Sequence, residues 1–133
     1  MTTNDNQFID LIQLLLSDTE KEAAVVLLKE QPELLEARNS RGMTALMEVS
    51  LLGNAEAAEF LIQSGAQVNA KSDKEGRTAM HFAAEHGHVD AYCILKDNGG
   101  DDTQPDIKRD TPRNVLDWYF SPVGSAMRAA REK

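Results

Sequence analysis

The segment RGMTALMEVSLLGNAEAAEFLIQSGAQVNAK, Arg41–Lys71, is followed by a second stretch, EGRTAMHFAAEHGHVDAYCILKDNGGDDTQ, Glu75–Gln104, that carries the same marks in the same order. Gly42 matches Gly76, Thr44 matches Thr78, Ala45 matches Ala79, Gly53 matches Gly87, Leu61 matches Leu95 and Gly65 matches Gly99, always 34 residues apart. A period of this length constrains the fold more than any other feature of the chain. Each period is one small supersecondary unit, too short to bury its own apolar face, so neighbouring units must stack to share a core.

Within each period the residues read as helix, tight turn, helix and loop. Thr44 and Thr78 are placed to cap a first helix, their hydroxyls accepting from free N–H groups of the opening turn. Gly53 and Gly87 close that helix, where positive φ is favoured. A second helix follows over about Ala55–Gln63 and Val89–Asp97, with Phe60, Leu61, Ile94 and Leu95 on its inward side, and ends at Gly65 or Gly99. The polar, turn-rich residues between units suit a protruding hairpin.

Taken together these residues resemble the ankyrin repeat. GMTALMEVSLLGN and GRTAMHFAAEHGH are similar to the family's Gly-x-Thr-Pro-Leu-His-x-Ala-Ala-x-x-Gly-His, and GAQVNAKSD is similar to its Gly-Ala-Asp-Val-Asn-Ala linker. The resemblance implies an all-α solenoid of stacked helix-turn-helix units joined by short β-hairpin-like loops. It extends to both ends. FIDLIQLLLSDTEKEAAVVLLKEQPELLEARN lacks the Thr motif but keeps two apolar periodic segments. DIKRDTPRNVLDWYF carries Thr111-Pro112, with Arg109 where the family has Gly and Arg113 where it has Leu. Two registers remain open there, one capped by Thr111 and one shifted by three residues onto Asn114. Ser121-Pro122 is placed to start a final helix reaching about Arg131, with Arg128, Arg131 and Lys133 suited to a helix C-terminus. The expected organisation is a single domain, 1–133, of four units at about 5–38, 39–72, 73–105 and 106–133.

Composition narrows the function. Hydrophobic residues make up 41% of the chain but aromatics only 5%, which favours closely packed helices over a strand sandwich. A net charge of −8 repels phosphate backbones and anionic lipid, arguing against nucleic-acid and membrane partners, and attracts a basic protein. The one cysteine, Cys93, permits no intrachain disulfide and fits a reducing compartment. Asp5 and Asp10 stand where a secretory signal needs cations. The expected location is the cytoplasm.

Three histidines, His81, His86 and His88, fall in the third unit and raise the question of chemistry. By the resemblance, His81 stands at the Thr-Pro-Leu-His position, where the ring bonds neighbouring backbone, and His88 at the Gly-His position after the turn. A zinc site needs three or four converging ligands, and no cysteine or well-spaced carboxylate joins these rings. Cys93, in AYCIL, reads as a buried small hydrophobe. By the resemblance, Asn69 holds the hairpin turn. No cofactor or metal is implied and no catalysis expected; the alternative is a metal-dependent or thiol enzyme using His81, His86, His88 and Cys93.

What remains is a surface. The resemblance implies that a protein partner docks on the hairpin tips and the first helices. Mapped by the Gly and Thr anchors, these positions are Ser40, Arg41, Met43, Leu51 and Leu52 in the second unit, and Lys74, Glu75, Arg77, Glu85 and His86 in the third. In the fourth, on the Thr111 register, they are Ile107, Lys108, Asp110, Trp118 and Tyr119. Large apolar groups at solvent-facing positions mark binding sites, and Trp and Tyr are enriched among interface hot spots. Trp118 and Tyr119 equally suit a plug for the end of the core. The expected function is a non-catalytic adaptor or inhibitor, monomeric when free, its partner possibly basic, with an immunity protein neutralising a toxin as one example. Circular dichroism of the purified chain should be dominated by helix; a spectrum with more strand than helix would rule the repeat reading out.

Overall fold

The computed structural model describes residues 3–17 and 19–131; Lys133 lies outside them. Among the described residues there are eight α-helices and no strand, and helix accounts for 60%. In chain order these are α1 (Thr3–Leu16), α2 (Lys21–Glu30), α3 (Ala45–Leu51), α4 (Ala55–Gln63), α5 (Ala79–Glu85), α6 (Val89–Asp97), α7 (Pro112–Tyr119) and α8 (Pro122–Arg131), with a 3-10 turn at Pro32–Leu35. They form an antiparallel series of pairs. The first members stack in one row, α1 on α3, α3 on α5 and α5 on α7, while α4 packs on α6 in a second row.

The two central first helices, α3 and α5, are short and almost wholly buried because each is sandwiched between neighbours on two sides. Every residue from Ala45 to Ser50 and from Ala79 to Ala84 is buried. Alanine at 45, 79, 83 and 84 lets backbones approach, and Leu46, Met47, Val49 and Met80 fill the volume between them. The second helices bury one stripe each, Ala57, Ala58 and Leu61 in α4 and Ala91, Tyr92 and Leu95 in α6, with Phe60 partly buried beside the first. Cys93 is exposed, which corrects the expectation of a buried thiol: with Ala91, Tyr92 and Leu95 facing inward, the residue between them points to the opposite side of the turn.

Thr44 caps as read, whereas the Thr78 hydroxyl meets His81 Nδ1 instead of a backbone N–H. Met47 N–H donates to Thr44 Oγ1, Ala57 N–H to Asn54 Oδ1 at 3.0 Å, and Gly124 N–H to Ser121 Oγ at 3.0 Å ahead of Pro122. The last pair takes the Thr111 register: Asn114 N–H donates to Thr111 Oγ1 at 3.1 Å, so Asn114 lies inside α7 rather than capping it. Arg109 adopts φ +70° where Gly42 and Gly76 have +74° and +64°. The Asp106 carboxylate holds that turn, accepting from the N–H of Lys108 and of Asp110.

Neighbouring hairpins lie side by side and are joined by single backbone bonds, Asp73 N–H to the Gly42 carbonyl at 3.1 Å and Ile107 N–H to the Glu75 carbonyl at 3.0 Å. Asn69 ties its loop to the next unit, donating to the Gly99 carbonyl and accepting from Asp101 N–H. The inter-helix turns interlock as well. Gly53 and Gly87 have φ of +77° and +70°, and a β-carbon at either would land inside a ring of the following unit, that of His88 or of Tyr119. Gly87→Ala is therefore expected to cost more than about 1 kcal/mol from backbone strain alone, with overpacking against Tyr119 in addition. Leu61→Ala and Leu95→Ala, both fully buried, should each cost about 2–5 kcal/mol in denaturant titration.

Candidate protein-binding face

The first helices and the hairpins that precede them expose one side of the array. Between the hairpins before α3 and α5 they enclose a groove of about 350 Å³ lined by Arg41, Met43, Leu51, Lys74, Arg77 and Glu85, together with Ser72, Glu75 and Phe82. Seven of the residues expected to meet a partner, Glu75 among them, thus come together. They contribute differently. Arg41, Lys74 and Glu85 are exposed and Leu51 is half-buried. Met43 and Arg77 are buried, which corrects their reading as solvent-facing. Met43 joins the apolar core beneath the hairpin.

Arg77 is buried because acids from three separate parts of the chain converge on it. Its Nη1 donates to Glu85 Oε2 at 2.8 Å and lies 4.0 Å from Glu75 Oε2, and its Nε lies 3.5 Å from Asp106 Oδ2. The guanidinium also sits 5.3 Å from the Phe82 ring centroid. A cation this enclosed needs such partners, since an unpaired buried charge is costly. In the preceding unit Glu48 is the buried member: Arg41 is ion-paired to it and Asn39 Nδ2 donates to it at 2.7 Å. The groove's lining carries three cations, Arg41, Lys74 and Arg77, against two acids, Glu75 and Glu85, so the surplus negative charge lies elsewhere on the molecule.

A second, more apolar groove of about 330 Å³ continues this side toward the N-terminus, lined by Phe8, Ile9, Ile12 and Gln13 of α1 with Asn39, Ser40, Arg41 and Glu48. Arg41 thus stands between the two grooves. Phe8, Ile9 and Ile12 belong to the first apolar periodic segment, Phe8 buried and Ile9 exposed, and nothing in the repeat pattern pointed to the groove they line. Glu75, Phe82 and Asp106 were missed as partners of Arg77 because nothing in the repeat spacing links them.

The remaining expected positions stand apart from the groove. Leu52, at the C-cap of α3, is 54% exposed and Trp118 is 47% exposed. His86 and Ile107 are exposed too, and the His86 ring is tilted against that of His88 with centroids 6.0 Å apart. Tyr119 is a packing residue. Its ring covers Gly87, Phe120 meets it edge-on at 5.0 Å and the Arg128 guanidinium stacks 3.6 Å from its centroid.

His81 is fully buried. Its Nδ1 accepts from Thr78 N–H at 3.0 Å, and its Nε2 donates to the Asp110 carbonyl at 2.7 Å. One ring therefore caps α5 and fastens the next hairpin. Burial pushes its pKa below the usual imidazole value of 6.5, opposed by the bond to Asp110. Among the described residues no group of three His, Cys, Asp or Glu is placed to hold a metal ion.

Comparison with known proteins agrees with this architecture. A family model described as ankyrin repeats (3 copies) matches residues 2–106. Inversin of Gallus gallus is 31% identical over 103 residues, 77% of this chain and 9% of that protein. The nuclear factor NF-kappa-B p105 subunit of Gallus gallus is 27% identical over 124 residues, 90% of this chain and 13% of that protein. The neurogenic locus notch homolog protein 1 of Mus musculus is 37% identical over 87 residues, 65% of this chain and 3% of that protein. The chain belongs to the ankyrin-repeat family, whose repeats are protein–protein interaction modules. It spans only a small part of the length of these relatives, and the family match ends before α7 and α8.

His81 yields a pH prediction. Because its folded pKa is lowered, the unfolded chain binds the extra proton first as pH falls. Its contribution is complete above about pH 6.5, is lost as pH drops from there toward the folded value, and levels off below it. His81→Ala should lower stability at pH 7.5 by about 1–3 kcal/mol, since it strands the Thr78 N–H and the Asp110 carbonyl. It should also lose less stability than wild type between pH 7 and pH 5. An unchanged melting temperature would show that the ring is not a bridge between units.

Proposed function

We propose that this chain is a non-catalytic binding module that acts as an adaptor or inhibitor by holding a basic protein partner along the side formed by the hairpins and first helices. The observation that carries this reading is the groove between hairpins, where Arg41, Lys74 and Glu85 are presented around the half-buried Leu51. Leu52 and Trp118 offer exposed apolar anchors outside it. The preference for a basic partner rests on the net charge of −8, which acts at long range. Neutralisation of a basic toxin, as by an immunity protein, is the narrowest form of the same reading. The four units proposed at 5–38, 39–72, 73–105 and 106–133 would supply the face jointly. A reducing, cytoplasmic setting suits the single free Cys93; no helix among the described residues is long and apolar enough to cross a membrane. The thiol or metal enzyme alternative is not supported, since both ring nitrogens of His81 are engaged within the fold.

The test compares baits. Wild type, Leu51→Ala with Lys74→Glu, and a control, Glu59→Gln at an exposed position of α4, are used to capture partners from native lysate. A basic protein retained by wild type and the control but lost by the groove variant supports the reading. With that partner in hand, Leu52→Ala and Trp118→Ala should each weaken binding by about 2 kcal/mol if they are hot spots. Added salt should slow association more than it speeds dissociation. Undiminished capture by the groove variant, at unchanged melting temperature, would move the binding face elsewhere.

A further inference from the structure

The two ends of the array present apolar surfaces of opposite charge character. At the C-terminal end, α8 carries Val123, Ala126, Met127 and Ala130 at positions i, i+3, i+4 and i+7, which is one helical stripe. All four are exposed, Val123 at 63% and Met127 at 47%, whereas Gly124 is the buried residue of the helix and faces the backbone of Trp118. An amphipathic helix ordinarily turns such a stripe to the core; here it faces solvent, away from α7. The helix contains no carboxylate and carries Arg128 and Arg131 in its last turn. At the N-terminal end, α1 and α2 leave a groove of about 420 Å³ lined by Leu14, Ala23, Val26 and Leu27, with Asp10, Glu20 and Glu30 as its only charged residues. Val26 is 53% exposed. The buried stripes of these helices, Leu11 and Leu15 in α1 and Ala24 and Leu28 in α2, point the other way.

We propose that a second copy of this chain is the occupant of that groove, the α8 stripe of one copy lying between α1 and α2 of the next, head to tail. One polypeptide carries both halves of the match: an apolar stripe flanked by arginine, and a trough whose apolar residues Leu14, Ala23, Val26 and Leu27 are bordered by Gln13 and three acids. A helix laid in an apolar groove is a recurring recognition mode, and here it would extend the stacking that already builds the array. The contact is heterologous, so each added copy leaves one stripe and one groove free and assembly does not close on itself. Four small and medium side chains make a modest patch, so the chain is monomeric when dilute and associates as concentration rises. This inference is independent of the groove between hairpins, which uses other residues.

Sedimentation equilibrium from micromolar to millimolar concentration tests it. The weight-average mass should climb from 14.7 kDa without a plateau at the dimer, and added salt should depress the climb. Val26→Asp, which blocks the groove, and Met127→Asp, which blocks the stripe, should each stay monomeric. Mixed, they should form a one-to-one complex that grows no further, because the first keeps an intact stripe and the second an intact groove. A charge-only pair guards against misfolding. Glu20→Lys with Glu30→Lys in one copy and Arg131→Glu in another should each weaken association about tenfold, or ~1.4 kcal/mol, and mixing them should restore it. A wild-type mass constant at the monomer value overturns the proposal. So does undiminished association of Val26→Asp, which would mean stripe meets stripe, or failure of both mixtures to associate.

Discussion

At Gly53 and Gly87 the chain reverses through positive φ, and the ring of the following unit, His88 or Tyr119, occupies the space where a side chain would begin. How closely one helix pair can approach the next depends on those two positions. A residue with a β-carbon would both strain the turn and push the next unit outward. The layer of alanines behind them, Ala45, Ala79, Ala83 and Ala84, is useful only at that spacing. Close approach then brings the hairpins within reach of one another's backbone, and the exposed side of the array follows from that alignment.

His81 and Arg77 show how a solenoid with little aromatic core is held in register. Apolar packing between helices is non-directional and would tolerate sliding. The bond from His81 to the Asp110 carbonyl is directional, the ion pair of Arg77 with Asp106 adds a close charge contact, and both run from the third unit to the hairpin of the fourth. The last hairpin needs them more than its predecessors, because it lacks glycine at 109 and carries a non-glycine residue at positive φ.

The helix pairs were legible because their signals are local. Gly and Thr at caps and turns act within three or four residues, and each recurs at a fixed offset. The grooves were legible only in part. Arg41, Lys74 and Glu85 are where the repeat places exposed residues, and they are exposed. Arg77 has the same address as a surface residue, yet it is buried by Glu75, Glu85 and Asp106, a set defined by stacking and invisible to any pairwise comparison of repeats. Cys93 failed for the opposite reason: hydrophobic neighbours in AYCIL suggested an inward face, but the inward stripe of α6 steps past it. The arginine at 109 illustrates a third limit. Departure from the family residue left two registers open, and the carboxylate of Asp106 decides between them by holding the left-handed turn.

Since every helix pair touches only those beside it, the array behaves as a short one-dimensional chain in which neighbours supply most of one another's stability. α3 and α5 have partners in both directions, whereas α8 packs chiefly against α7. Opening should therefore begin at the termini and spread inward, so that amide hydrogen exchange is slowest through α3 and α5 and grades outward along the stack. Any ligand that clamps several units at once would flatten this gradient from the ends inward, and a map of amide protection would then show where it sits.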